Sequence, residues 1–222
     1  MVSPSATLAS DTKLSEIEIT IGSPSFKLGI HSPSSNSSED VEVINLETQT
    51  LLTNNEISDL LFLREEEKLA RDVYLNSYDL YGLQIFKNIS NSEQQHMNSV
   101  LQLLTNYNLE DPASEIRGEF TNPELQSLYN SLVEKSKISL LEALKVGNTI
   151  EDLDINDISE NEKRTSKMDL LNVYALLKCG SRNHLRNFYS QVEQNNGTYE
   201  PVYISINEFE DIISTSNEQC GR

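Results

Sequence analysis

From about residue 53 onward, apolar residues recur along this chain at spacings of three and four, the period of helices that bury one face. Thr53 is suited to cap a first long helix that carries Ile57, Leu60, Leu63, Ala70, Val73 and Ser77 and closes near Tyr81-Gly82. A second helix carries Ile85, Ile89, Met97, Val100, Leu103, Leu104 and Tyr107 and stops before Asp111-Pro112, because proline disfavours helical backbone in the residue before it. A crossover from Asp111 to Thr121 contains Gly118. It leads to Asn122 as a cap, Pro123 at the first helical position, and a short helix through Leu125, Leu128, Tyr129 and Leu132.

Ser139, with Glu142 three residues on, has the form of a capping box and opens a third long helix. Its stripe is Leu140, Leu144, Ile150, Leu153 and Ile158, and Gly147-Asn148 is expected to bend it. After a charged linker from Ser159 to Lys167, a fourth long helix carries Leu170, Val173, Tyr174, Leu177, Leu185, Phe188 and Val192 to about Gln194, where Asn196-Gly197 ends it. Tyr199 to Ile204 reads as extended, and Ile206 to Ile213 as a short covering helix. The expected fold class is all-α, with four long helices in two pairs joined by a long crossover that holds one short extra helix. With 8 Gly and 6 Pro in 222 residues, the chain is poor in turn formers for a large sheet protein, which agrees.

Residues 1–52 follow another pattern. Eleven serines fall between Ser3 and Ser38, too polar a run to offset the entropy of ordering it. Ile17, Ile19 and Ile21 on one side, and Val41 and Val43 on the other, alternate with the period of half-buried strands. This stretch reads either as a flexible acidic arm or as a small, weakly β hairpin. The expected organisation is an N-terminal extension over 1–52, a helical bundle over 53–213, and a flexible tail over 214–222.

Charge then narrows the partners. Against 35 Asp plus Glu stand 17 Lys plus Arg, a net −18, of which the first 52 residues supply −5 from 7 acids and 2 bases. Such a field argues against nucleic acid and against a polybasic grip on an anionic membrane. Metal cations remain compatible. No run approaches the roughly 20 apolar residues of a membrane span, so the chain reads as soluble, either cytoplasmic or exported after loss of a leader. Cys179 and Cys220 are its two thiols; Cys179 reads as a small packed residue, and a bridge between them requires the tail to fold back.

The informative anomaly is polar residues on the apolar stripes. Glu66 and Glu67 lie between Leu63 and Ala70; Glu93 and His96 share the face of Val100 and Leu103; Glu151 and Asp154 lie on the face of Leu144 and Ile158; and His184 lies on that of Leu177 and Phe188. Of three histidines in the chain, only His31 is elsewhere. A buried carboxylate or imidazole needs a partner, since removing charge from water costs several kcal/mol. Four carboxylates (Glu66, Glu93, Glu151 and Asp154, with Glu67 as substitute for Glu66) and two imidazoles (His96 and His184) suit a dinuclear iron centre, manganese being the alternative. The intervals agree: 93 − 66 is 27 and 184 − 151 is 33, each long enough to climb one helix and return to the same depth.

The runs Arg64 to Tyr74, Ser92 to Met97, Val146 to Ile155 and Gly180 to Phe188 resemble the signatures of an uncharacterised family, domain of unknown function 2202, within the ferritin-like superfamily. The resemblance spans about Ile57 to Ile213 and implies a ferritin-like four-helix bundle, distantly similar to rubrerythrins and ferritins, whose better-known members bind two irons and process dioxygen or peroxide. By position it implies Glu66 as ligand on the first helix and Glu93 with His96 on the second. The second half departs from those relatives, which carry a lone Glu on the third helix and Glu-x-x-His on the fourth. Here Glu151 and Asp154 precede His184, with Asn187 at the matching spacing.

The resulting expectation is a non-haem di-iron protein acting on dioxygen or hydrogen peroxide, an oxidase, peroxidase or ferroxidase if an enzyme, and compatible with a homodimer. The competing expectation is a metal-free or single-metal helical module in which Glu93-His96 and Asp154-His184 are hydrogen-bonded pairs that fix register. Tyr74 and Tyr174 read either as redox or hydrogen-bonding neighbours of the centre or, as the favoured expectation, as ordinary packing with their hydroxyls near the bundle surface. For Arg71, Arg182 and Arg186, neutralising the carboxylates and forming surface salt bridges are equally open.

Overall fold

A computed structural model describes residues 51–221. Within them lie six helices and no strand: α1 (Asn54–Tyr81), α2 (Gln84–Asn106), α3 (Pro123–Ser136), α4 (Leu140–Glu162), α5 (Met168–Gln194) and α6 (Ile206–Ile213). The two pairs α1/α2 and α4/α5 make the most extensive contacts. They are joined by packing of α2 on α5 and α1 on α4; α3 lies against α1 and α4, and α6 against α5. The all-α expectation is met, and the inter-helix packing is that of a helical bundle. The alternating segments around Ile19 and Val41, and His31, lie outside the described residues.

Local chemistry sets the helix ends. Thr53 and Glu56 form a reciprocal capping box, with Thr53 N donating to Glu56 at 2.7 Å and Glu56 N donating to Thr53 Oγ1 at 3.2 Å. Gly82 closes α1 at φ 63°, a left-handed backbone that favours glycine. Asn122 caps α3 ahead of Pro123 as the sequence predicts. At α4 only half of the expected capping box forms: Ser139 Oγ accepts from Glu142 N at 3.1 Å, while the Glu142 carboxylate pairs with Lys145 one turn on, at 3.2 Å.

Gly147 does not interrupt the helix, and α4 runs unbroken through the first part of the expected linker to Glu162. Gly147 serves packing instead, because a Cβ there would meet the Phe188 ring at 2.7 Å. Tyr199 to Ile204 joins no strand. It is held by Asp152, which accepts from the Tyr199 hydroxyl and from the backbone N–H groups of Val202, Tyr203 and Ile204.

The core has three levels. One apolar cluster gathers Ala70, Val73, Phe86, Ile89, Leu144, Ile150, Phe188 and Val192. A second gathers Leu60, Leu63, Val100, Leu104, Ile158, Leu170, Tyr174 and Leu177. On every long helix buried charged or polar residues lie between these two sets: Glu66 and Glu67, Glu93 and His96, Glu151 and Asp154, Ser181 and His184. The bundle therefore carries a polar layer with hydrocarbon on both sides.

Candidate metal centre

The acidic run of α1 divides between two faces, since successive helical residues point about 100° apart. Arg64, Glu65 and Lys68 serve the crossover: Arg64 holds Asp111 with two bonds at 3.0 and 2.8 Å, and Glu65 accepts from Thr121 N and Asn122 N at 2.6 and 2.9 Å. Lys68 is buried, donating to Asp72 at 2.6 Å and to the carbonyls of Ile116 and Glu119 at 2.9 and 3.1 Å. Glu66 and Glu67 turn into the bundle.

There the carboxylates and imidazoles converge in two buried triads that could each hold a metal ion, Glu67–Glu93–His96 and Glu93–Glu151–His184. Glu93 belongs to both, with one oxygen per histidine: Oε2 lies 2.8 Å from His96 Nδ1 and Oε1 lies 2.7 Å from His184 Nδ1. Glu67 Oε2 is 3.2 Å from His96 Nδ1, and Glu151 Oε2 is 3.4 Å from His184 Nδ1. The two imidazole rings stack with centroids 5.5 Å apart.

Each ring is fixed from its far side. His184 Nε2 meets Ser92 Oγ at 3.0 Å, while His96 lies over Gly180, where a Cβ would stand 2.5 Å from its Nε2. Tyr74 donates its phenol hydrogen to Glu151 Oε1 at 2.5 Å. Its hydroxyl is thus buried in the polar layer, contrary to the surface placement expected from the sequence. Tyr174 is buried in the second apolar cluster.

These contacts bear on whether the site fits metal. Both Glu93 oxygens, Glu151 Oε2 and His184 Nδ1 are buried without a hydrogen bond, although they stand only 2.7–3.4 Å from one another. Donors about 2.0–2.2 Å from one ion and at right angles stand roughly 3 Å apart, so the spacings match neighbouring ligands of a first-row metal. Both oxygens of Asp154 and of Glu66 also lack a protein donor.

Proton affinities tell the same story. Burial alone would raise the Glu93 carboxyl, but the His184 and His96 imidazoles overcome it and hold the group well below the usual range. Against the effect of burial, Glu93 and Glu151 lift His184 to about 10, and Glu93 and Glu67 push His96 well above its ordinary value. Burial drives Glu67 up to about 7, opposed by His96, and raises Glu151, opposed by His184. Asp154 is raised well above normal by burial and by the charges of Glu66, Glu67, Glu151 and Glu93. A layer that must gather protons to offset its negative charge is one that divalent cations can occupy in their place.

Of the residues singled out in the sequence, Glu93, His96, Glu151 and His184 come together in the triads. From α1 it is Glu67 that joins them; Glu66 and Asp154 are buried beside them. Glu67 continues the row Leu60, Leu63, Ala70, Tyr74 at spacings of three and four, a signal present in the sequence but equally compatible with Glu66 on the row through Leu63, Val73 and Ser77. The arginines lie elsewhere: Arg71 holds Asp72 and Gln94, while Arg182 and Arg186 hold Glu218 of the C-terminal tail. That tail does fold back, and Cys179 is joined to Cys220 by a disulfide.

Comparison with other proteins agrees in extent. Residues 56–216 match the family described as an uncharacterized protein domain, DUF2202. The uncharacterized protein MJ0754 of Methanocaldococcus jannaschii is 48% identical over 169 residues, which is 76% of this chain and 91% of that protein. The crystal structure of hypothetical protein MJ0754 from Methanococcus jannaschii superposes with a TM-score of 0.72 at 45% identity, covering 85% of this chain and 99% of that one.

Proposed function

The chain belongs to the DUF2202 family of uncharacterized domains, and on that premise we propose that it is a ferritin-like protein with a two-metal carboxylate centre, of iron or alternatively manganese, that reacts with dioxygen or hydrogen peroxide. The observation that carries this reading is the double role of Glu93, whose two oxygens each face a different histidine. Glu67 with His96 would hold one ion and Glu151 with His184 the other. Glu93 would serve both, and Asp154, which lies in the field of Glu66, Glu67, Glu151 and Glu93, would add a further carboxylate. Hard carboxylates with imidazole favour iron or manganese over softer sites. The ferritin-like relation is supported by the order of donors along four helices, Glu67, then Glu93-x-x-His96, then Glu151, then His184.

When bound, the ions supply redox equivalents and a Lewis-acidic position for the oxidant. The chain's own groups set their surroundings. By occupying Glu151 Oε1, Tyr74 leaves Oε2 alone to face His184. Ser92 and Gly180 keep both Nδ1 atoms turned inward, the orienting task that partners of metal-bound histidines perform. The two apolar clusters keep bulk water from the layer.

The test is an anaerobic ferrous titration of metal-stripped protein, followed by exposure to dioxygen or peroxide. Saturation near two ions per chain and a spectral change on oxidation are expected. No saturable uptake, together with no metal in protein purified without chelator, would sink the proposal. The Glu67–His96 hydrogen bond favours a second reading, a metal-free module whose buried pairs fix helix register. That reading predicts a melting temperature indifferent to ferrous or manganous ions.

A further inference from the structure

Glu66 belongs to neither triad, is 1% exposed, and has no protein donor for either carboxylate oxygen. Leaving it there without a partner costs several kcal/mol. The charges that act on it most strongly are those of Asp157 on α4 and Glu67, its neighbour in the first triad. Phe62, one turn before Glu66 on α1, lines the same cavity as Asp157, so along α1 Glu66 comes one turn after that cavity and directly before Glu67 of the first triad.

Asp157 in turn lines a cavity of about 360 Å³ at the seam of α1 and α4, which reaches the surface at Ser58 and Glu160. A divalent ion with six waters needs roughly 180 Å³ at about 30 Å³ per water, so it fits. The other charges at the mouth are neutralised: Asp59 is held by Arg164 with two bonds of 2.9 Å, and Glu160 pairs with Lys163. Asp157 accepts a neutral amide bond from Asn156 at 2.8 Å and makes no ion pair among the described residues.

We infer that Asp157 and Glu66 form the inward path by which a divalent cation passes from this cavity to the two-metal centre. The inference rests on the two-metal reading. Two carboxylates, one at the mouth and one buried, attract a hard cation and replace part of its water shell with oxygen ligands. They do not converge with a third ligand as the triads do. Hold is therefore weak, which transit requires: strong enough to enter, weak enough to leave. Glu66 then lies beside Glu67, where the ion meets the first histidine.

The experiment follows cobaltous ion entering the full-length, metal-stripped chain by stopped-flow absorbance, in the unaltered protein and in Glu66→Gln and Asp157→Asn. Each variant should load about tenfold or more slowly, the scale of rate lost when a focusing charge is removed, yet still reach two ions per chain. Loading at the unaltered rate in both variants would overturn the path. So would loss of one bound ion in Glu66→Gln, which would make Glu66 a resident ligand. If the unaltered chain took up no cobalt, the two-metal centre would fall and the path with it. Asp157 is partly exposed, so Asp157→Asn keeps the test available should the buried substitution fail to fold.

Discussion

Gly180 lies under the ring of His96, so close that a single Cβ at this position would stand 2.5 Å from Nε2 and 2.6 Å from Cε1 of the imidazole. One helix forgoes a side chain so that a histidine of another can turn Nδ1 toward Glu93 and Glu67. Gly180→Ala should therefore push His96 out of its triad while leaving Glu151 and His184 in place. Overpacking costs about 1–3 kcal/mol, offset by up to about 1 kcal/mol of better helix propensity. Metal analysis should find one ion per chain where the unaltered protein holds two; two tightly held ions would contradict this role.

Tyr74→Phe keeps the ring that packs on Phe188 at 5.0 Å and deletes the hydroxyl on Glu151. Leaving a buried charged acceptor unpaired costs about 1.5–3 kcal/mol in the metal-free chain. Freed from Tyr74, Glu151 should change the rate of the oxidation step while the metal count stays the same. Urea unfolding measures the first effect and single-turnover absorbance the second.

Lys68 is the structural counterpart of the polar layer, buried but with its charge answered. Lys68→Met would leave Asp72 with Arg71 and the N–H of Gly118, and free the carbonyls of Ile116 and Glu119. Breaking a buried pair costs about 3–5 kcal/mol. Limited proteolysis should then cut between residues 111 and 121, with a lower urea midpoint; an unchanged midpoint would show that the loop is held by its other contacts.

Reduction of Cys179–Cys220 opens a loop of 41 residues. On chain entropy alone such a closure contributes about 4 kcal/mol, so thermal unfolding with and without reductant should show a large loss of stability. Metal stoichiometry should not change, since neither sulfur lies in a triad.

In the reduced chain the tail depends on Glu218, which Arg182 and then Arg186 hold down to about 2 from an ordinary 4.5. A carboxyl depressed in the folded state contributes fully above its unfolded value, and its contribution is lost as pH falls from about 4.5 toward 2. Amide protection factors in residues 214–220 of the reduced protein should fall through that window. Glu218→Gln should show weak protection at every pH.

The sequence by itself determined the helices and the level of the polar layer. Spacings of three and four mark a buried face wherever they occur, caps such as Thr53 and Asn122 act within four residues, and the layer shows as charged interruptions at one height in all four stripes. Tertiary structure decided the pairings, because these depend on which side chain arrives from another helix. Spacing leaves Glu66 and Glu67 equivalent. Only the position of His96 on α2 draws Glu67 into a triad, and Glu66 is left buried without a protein donor. Likewise Asn148, read from the sequence only as part of a bend, donates to the Leu185 carbonyl of α5 at 3.0 Å. The folded-back tail depends on Arg182 and Arg186 meeting a glutamate more than thirty residues away. Period is a property of one helix, whereas the partner of a buried charge is a property of the packed bundle.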